Sequence, residues 1–109
     1  MARDPGLEEL VEEGLGHLAE LTGKAMFGGW GFLLHGNLLC GVRQGSLMLR
    51  VGPANEEWAL QIPGVTPVEM RGRRMRGYVR AGAEAYADDG IRQRLLGAAS
   101  AFVGSLPRK

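Results

Sequence analysis

Apolar side chains recur every three or four positions near the start of the chain, while glutamates take the intervening positions. This period is typical of a helix with one buried side. The recurring apolar residues are Leu7, Leu10, Val11, Leu15, Leu18 and Leu21. Asp4 suits the N-cap, Pro5 the first helical position, and Gly23 the residue after the helix ends. The pattern therefore predicts a helix over residues 5–22.

From residue 24 to residue 51 the apolar period changes to two, which is typical of strands. Two-residue turns at Gly36-Asn37 and Gln44-Gly45 divide this segment. The predicted strands are antiparallel and lie near residues 31–35, 38–43 and 46–51. The first turn pairs Leu34 with Leu39 and Leu33 with Cys40, and the second pairs Val42 with Leu47 and Cys40 with Leu49.

These registers predict an apolar residue set on each face of the three strands. The first face carries Leu33, Leu38, Cys40, Val42, Leu47, Leu49 and Val51. The second face carries four residues that we predict as a candidate interface: Phe32, Leu34, Leu39 and Met48. Antiparallel sheets usually bury one face and expose the other. The second face is therefore covered by helices or forms a contact between chains, usually in a homodimer.

The rest of the chain predicts a short helix, a hairpin and a longer helix. Gly52-Pro53 opens the short helix and Pro63-Gly64 closes it. A turn at Gly72-Arg73 pairs Met70 with Met75. Asp88 or Asp89 caps the last helix, whose apolar stripe is Ile91, Leu95, Ala98, Ala99, Phe102 and Leu106. The order α-β-β-β-α-β-β-α predicts an α+β fold with a five-stranded antiparallel sheet.

Composition narrows the class of protein. The chain has 109 residues and 18 glycines, and we expect one domain over residues 1–109. The formal net charge of +1 gives no global attraction to nucleic acid or to a membrane. The single cysteine, Cys40, cannot form an internal disulfide, and the N-terminus has no signal-peptide pattern, so we expect a cytoplasmic protein.

No catalytic or metal-binding pattern emerges from the sequence. Lys24 follows Gly23, but the surrounding residues do not fit a phosphate-binding loop. His35 and Cys40 are a candidate base and nucleophile, yet Cys40 lies among apolar residues, where a thiol packs as a small hydrophobe. Two histidines and one cysteine do not make a zinc set. We expect no enzymatic activity, no cofactor and no metal.

One segment concentrates positive charge around an aromatic residue. It contains Arg71, Arg74, Arg76, Tyr78 and Arg80, together with Arg73, and no acid. Strand alternation places Arg74, Arg76, Tyr78 and Arg80 on one side. Three interpretations remain open: a solvated outer face, a contact with an acidic protein, or a nucleic-acid contact in which the ring stacks on bases.

Two segments carry a family resemblance. Residues 24–32, KAMFGGWGF, and residues 47–51, LMLRV, resemble the N-terminal domain of the TfoX/Sxy family. Residues 74–79, RMRGYV, followed by a final helix ending FVGSLP at residues 102–107, are similar to short stand-alone relatives. The most specific part is the motif Met26, Phe27, Gly28 and Gly29.

The resemblance implies a two-layer α-β(3)-α-β(2)-α fold like that of secretion chaperones. It also implies a cytoplasmic bacterial protein linked to regulation of competence and transcription. Name-giving members carry a second, C-terminal domain, so we expect a short stand-alone member here. We expect Met26 and Phe27 to anchor their loop in the core, and Gly28 and Gly29 to permit a tight turn. The expected function is a non-enzymatic protein-interaction module, a homodimer with an unknown protein partner; the alternative is a nucleic-acid-binding accessory protein.

Overall fold

A six-stranded antiparallel sheet with four helices accounts for the regular structure in residues 3–26 and 28–109, which the computed structural model describes. The helices are α1 (Pro5–Leu15), α2 (Pro53–Leu60), α3 (Ala83–Tyr86) and α4 (Asp89–Gly104). The strands are β1 (Leu21–Met26), β2 (Gly29–Leu34), β3 (Asn37–Arg43), β4 (Ser46–Arg50), β5 (Val65–Met70) and β6 (Arg73–Gly82). Their order is β1-β2-β3-β4-β6-β5. The α+β class is confirmed.

The helices form one layer against one face of the sheet. Helix α4 contacts β2, β3 and β4, α1 packs on α4, and α2 and α3 contact β6. The Arg94 guanidinium of α4 lies 4.1 Å from the centroid of the Trp58 ring of α2, so these two helices share the layer. The core lies between layer and sheet. Its fully buried members include Val11, Leu15, Leu39, Cys40, Leu47, Leu49, Val51, Val79, Leu95, Ala99 and Val103.

The first helix is shorter than predicted. Helix α1 ends at Leu15, and Leu21 begins β1, which pairs along its length with β2. The prediction of a helix over 5–22 is therefore wrong beyond Leu15, and Gly23 lies in a strand opposite Phe32 rather than at a helix end. Leu18 and Leu21 still pack against the core, so the apolar spacing continues although the helix does not. The extra edge strand raises the predicted five strands to six.

The hairpin between β2 and β3 differs from the prediction by one residue. His35 and Gly36 have φ of 55° and 83°, as a type I′ turn requires at both central positions. Leu34 therefore pairs with Asn37, and the predicted Leu34–Leu39 pair is wrong.

A bulge then corrects the phase of β3. Phe32 faces Cys40 but Leu33 faces Leu38, which leaves Leu39 without a partner in β2. Leu39 and Cys40 are both fully buried in the helix-facing core, as a bulge permits. The predicted pairs Val42–Leu47 and Cys40–Leu49 between β3 and β4 are confirmed.

The hairpin between β5 and β6 shows the same one-residue difference. Arg71 and Gly72 have φ of 54° and 76°, so they are the central turn residues. Met70 pairs with Arg73 and Glu69 with Arg74, and the predicted Met70–Met75 pair is wrong. In both hairpins glycine takes the second central position of the turn, whereas the prediction placed it first.

Both predicted helix caps are confirmed. The Asp4 carboxylate accepts a hydrogen bond from the Leu7 N–H at 3.2 Å, and Asp88 accepts one from the Ile91 N–H at 2.9 Å. The predicted apolar stripe of α4 packs against the core: Ile91, Leu95, Ala98, Ala99, Phe102 and Leu106. Short helix α3 was not predicted.

Candidate functional site

The sheet face away from the helices is the candidate site, and we call it the open face. Strand alternation turns Met48 to this face because its neighbours Leu47 and Leu49 are fully buried on the helix side. Gly41 and Arg80 lie directly opposite Met48 on the neighbouring strands. The four described helices all lie on the other side of the sheet.

A cavity of about 60 Å³ opens on this face. Its walls include Met26, Leu38, Arg43, Met48, Met70 and Arg80. Cavities that bind small molecules usually have about 300–1,000 Å³. The cavity is therefore too small for a metabolite, and its volume suits part of one side chain.

Glycines of the open face lie where other groups approach the sheet closely. A Cβ on Gly31 would overlap the Met26 sulfur, and a Cβ on Gly29 would overlap the Val42 carbonyl oxygen. A Cβ on Gly41 would instead lie 3.6 Å from the Met48 Cε, an ordinary contact. Gly29 and Gly31 thus fill positions where another backbone or side chain approaches too closely for any larger residue.

Two arginines, Arg43 and Arg80, line the cavity. The Arg80 Nη1 donates a hydrogen bond to the Ser46 Oγ at 2.9 Å. Neither Arg43 nor Arg80 belongs to an ion pair in the part of the chain that the structure describes. Burial, and then the positive charge of Arg43, lower the pKa of Arg80. The cavity therefore has an apolar interior and a positive margin.

The four residues of the predicted interface do not share a face. Phe32, Leu34 and Leu39 belong to the helix-facing core, and Met48 alone lies on the open face. The prediction of one shared face is wrong because the β2–β3 turn lies one residue earlier than predicted and a bulge follows it. The side chains of β2 and of the first half of β3 therefore lie on the face opposite to the predicted one. The same shift moves Leu38, which we assigned to the core, to the open face.

The described residues of the family motif, Met26, Gly28 and Gly29, lie in and around the turn between β1 and β2. Met26 is half-buried on the open face, which corrects its predicted place in the core. Phe27 lies outside the described residues, so its anchoring role stays a prediction. Gly28 has φ of 75° in the turn, a conformation that favours glycine, and Gly29 begins β2.

The arginine-rich hairpin is partly neutralised by helix α2. The Glu56 carboxylate is buried and accepts hydrogen bonds from the Gly77 N–H at 3.1 Å and from Arg74 at 2.9 Å. Burial opposes the ionisation of Glu56, but these hydrogen bonds and the charges of Arg74 and Arg76 outweigh it and lower its pKa. Arg74 is therefore engaged within the chain.

The other residues of this hairpin diverge as well. Gly77 has φ of 85° and interrupts the alternation of β6. The Tyr78 ring centroid lies 5.5 Å from the Arg50 guanidinium, and Arg80 lines the open-face cavity. The residues predicted to form one polyanion contact therefore do not share one environment. They are Arg71, Arg74, Arg76, Tyr78 and Arg80.

The candidate nucleophile is inaccessible. Cys40 is fully buried in the core, and burial raises the pKa of its thiol. His35 lies in the β2–β3 turn with a positive φ. Within residues 3–26 and 28–109, no three His, Cys, Asp or Glu side chains are grouped to hold a metal ion. None of the helices in these ranges has the length and apolar character needed to cross a membrane.

Sequence reasoning missed Leu38, Arg43 and Met70 as residues of the site. The sequence carried one usable signal for this site. Gly31 and Gly41 lie inside predicted strands, and such glycines often mark a close approach of another group. Arg43 and Met70 are brought together by the strand order, which the sequence does not specify.

Comparison with known proteins identifies one family. A family model described as the TfoX N-terminal domain matches residues 13–102 of the chain. No curated protein and no solved structure gives a significant match. The matched region includes every strand of the sheet and most of α4.

Proposed function

This chain belongs to the TfoX N-terminal domain family, and from that premise we propose that it is a non-enzymatic protein-interaction module with a regulatory role in the cytoplasm. The family's link to competence and transcription supports the regulatory role. The open face of the sheet is the surface through which the module binds its partner.

The observation that carries this proposal is the one-sided covering of an apolar sheet. Helices cover one face, while Leu38, Met48 and Met70 remain on the other. Met70 is exposed there and Leu38 is half-buried, and apolar surface with polar margins is typical of protein contacts. Methionine side chains adapt to different partners because they are flexible and polarisable.

The chemistry of the chain favours binding over catalysis. Cys40 is buried with a raised pKa, and Glu56 is held by Arg74 and a backbone N–H. The cavity of about 60 Å³ leaves no room for a substrate beside catalytic groups.

A capture experiment tests the proposal. The tagged chain is incubated with extract of its native host as wild type, as Leu38→Glu and as Ala101→Glu. Leu38 is half-buried on the open face, while Ala101 is exposed on α4, so the control adds the same charge to the opposite side. We expect wild type and Ala101→Glu to retain the same proteins and Leu38→Glu to lose them. Circular dichroism checks that each variant is folded. Equal capture of the same proteins by all three folded chains would contradict the proposal.

The alternative nucleic-acid role makes a different prediction. If arginines bind labelled DNA or RNA, the logarithm of the binding constant falls linearly with the logarithm of the salt concentration. The slope is about one unit per phosphate contact. Anisotropy measured at low salt with wild type and Arg76→Glu checks this directly. No change in anisotropy with either nucleic acid would exclude the alternative.

We also propose that the chain forms a homodimer, and sedimentation velocity tests this. If Leu38→Glu converts a dimer into a monomer, then a second copy of the chain occupies the open face. If the dimer persists, its contact lies elsewhere and the open face stays available for another protein.

A further inference from the structure

We infer that the open face binds an acidic, apolar segment of a different protein, with one apolar side chain in the cavity and a neighbouring carboxylate against Arg43 and Arg80. This inference rests on the proposed function, because it names the partner chemistry of the same face. Three features support it: the size of the cavity, the charge at its margin and the orientation of the apolar side chains of the acidic helix α1.

The cavity selects the size of the inserted group. Its volume of about 60 Å³ lies far below the roughly 300–1,000 Å³ of small-molecule sites. A few methyl groups fill such a space, as at the end of a Leu, Ile or Met side chain. Because Met26, Met48 and Met70 form much of its wall, the cavity adjusts to the shape of that end.

The margin of the cavity selects the charge of the neighbouring group. Among the described residues, the Arg80 guanidinium donates one hydrogen bond, to the Ser46 Oγ, out of five N–H donors, and Arg43 adds a second guanidinium. Two adjacent positive charges repel each other, and a carboxylate between them removes the repulsion. Arginine pairs with carboxylates through two parallel hydrogen bonds, so this geometry favours Asp or Glu.

A second copy of the chain does not offer the required combination through its acidic helix. Helix α1 presents Glu9, Glu12 and Glu13 to solvent, while its half-buried Leu10 lines a groove with Arg92 and Leu96 of α4. The buried residues of α1 are Leu7, Val11 and Leu15. The apolar side chains of this helix thus face the core or α4 while its carboxylates face solvent, which favours a partner of different sequence.

Selection from a phage-displayed library of random peptides tests the inference. Wild type is the bait, and Arg43→Glu, Leu38→Glu and Arg76→Glu are the comparison variants. Arg76 is exposed and does not line the cavity, so its reversal is the matched control for charge. We expect enriched peptides to place Asp or Glu within about three residues of Leu, Ile or Met. The affinity of a selected peptide should fall at least tenfold with Arg43→Glu or Leu38→Glu and stay unchanged with Arg76→Glu.

A charge exchange makes the test specific for the carboxylate. Replacing the acidic residue of a selected peptide by Lys should abolish binding to wild type and restore part of it with Arg43→Glu. Such restoration indicates a direct contact between the two groups. If Arg43 only supported the fold, Arg43→Glu would weaken the binding of both peptides alike.

Several results would overturn the inference. Enriched peptides without acids, equal binding to wild type and Arg43→Glu, or no enrichment at all each contradict it. A dimer that Arg43→Glu dissociates would make a second copy the occupant. Leu38→Glu could abolish capture of host proteins while the enriched peptides are neutral or basic. In that case the open face is the binding surface, and only the proposed acidic chemistry of the partner is wrong. If neither Leu38→Glu nor Arg43→Glu changes any binding, both proposals fail.

Discussion

The two faces of the sheet use neighbouring residues of the same strands for different purposes. In β4, Leu47 and Leu49 point to the helices and are fully buried. Met48 stands between them and points to the open face, where Gly41 and Arg80 are its neighbours. Aliphatic side chains packed against the helices form most of the covered face, whereas methionine, glycine and arginine form much of the open face.

This difference shows that burial alone does not identify a core residue. Met48 is only 7 % exposed, yet it lies outside the cluster that holds the helices on the sheet. Side chains of the same face cover it, among them Met26 and Met70, and methionine side chains rearrange at little cost. Substitutions on the covered face should therefore reduce stability, and substitutions on the open face should mainly reduce binding.

The largest contrast should come from adjacent residues of β4. Leu49→Ala removes a side chain with no exposed surface and should lower the free energy of unfolding by about 3–4 kcal/mol. Met48→Ala should cost less than half as much, because its cavity opens to solvent. Urea unfolding followed by circular dichroism measures both. Equal losses would mean that the open face is part of the core.

A second contrast lies within the open face itself. Gly29→Ala places a Cβ against the Val42 carbonyl oxygen, which the β2–β3 pairing holds in place, and should cost about 2–3 kcal/mol. Gly31→Ala places a Cβ against the Met26 sulfur, which can move, and should cost about 1 kcal/mol. Thermal unfolding of the two variants compares them. A greater loss from Gly31→Ala would show that Met26 is fixed rather than mobile.

The buried carboxylate of α2 gives a pH-dependent contrast. Glu56→Gln keeps an oxygen for the Gly77 N–H but loses the ion pair with the half-exposed Arg74, so it should cost about 1 kcal/mol at pH 7. The folded-state pKa of Glu56 lies below its unfolded value. Its contribution is therefore complete above about pH 4.3, the ordinary glutamate pKa, and is lost as the pH falls through the folded-state pKa.

Glu57 is the matched control for this prediction, because it is the next residue in α2 and is exposed. Glu57→Gln should leave the stability unchanged at both pH 7 and pH 3. Urea titrations at a series of pH values should show that wild type and Glu56→Gln converge in acid. A constant difference between them would contradict the assigned ionisation.

The smallest effect on stability should accompany a large effect on binding. Arg43→Gln removes an exposed charge that has no ion pair among the described residues, and it should change the free energy of unfolding by less than about 0.5 kcal/mol. The selected peptides should nevertheless lose affinity. A loss of stability beyond this range would show that Arg43 supports the fold as well as the partner contact.

The predicted turns show where local sequence suffices. At Gln44-Gly45 the prediction placed glycine second, and the resulting register of β3 and β4 is confirmed. At Gly36 and Gly72 it placed glycine first, which requires a type II′ turn. The chain forms type I′ turns instead, with His35 and Arg71 accepting positive φ. A glycine predicts a turn but does not indicate which position of the turn it occupies.

The end of α1 shows where local sequence misleads. The spacing of Leu15, Leu18 and Leu21 fits a helix, and all three contact the core. The backbone nevertheless leaves the helix at Leu15, because residues 21–26 form a full ladder with β2. Apolar periodicity reports which residues are buried, but not which backbone hydrogen bonds they make.

Local sequence was enough to predict the α+β class, the caps at Asp4 and Asp88, the stripe of α4 and the β3–β4 register, because each depends on neighbours within a few residues. The tertiary structure alone decided the strand order, the edge strand β1 and the bulge at Leu39. It also decided the site: Arg43, Met70 and Arg80 meet only because β6 pairs with β4 and β5. Contacts between distant segments depend on how the whole chain packs, and no short stretch of sequence encodes them.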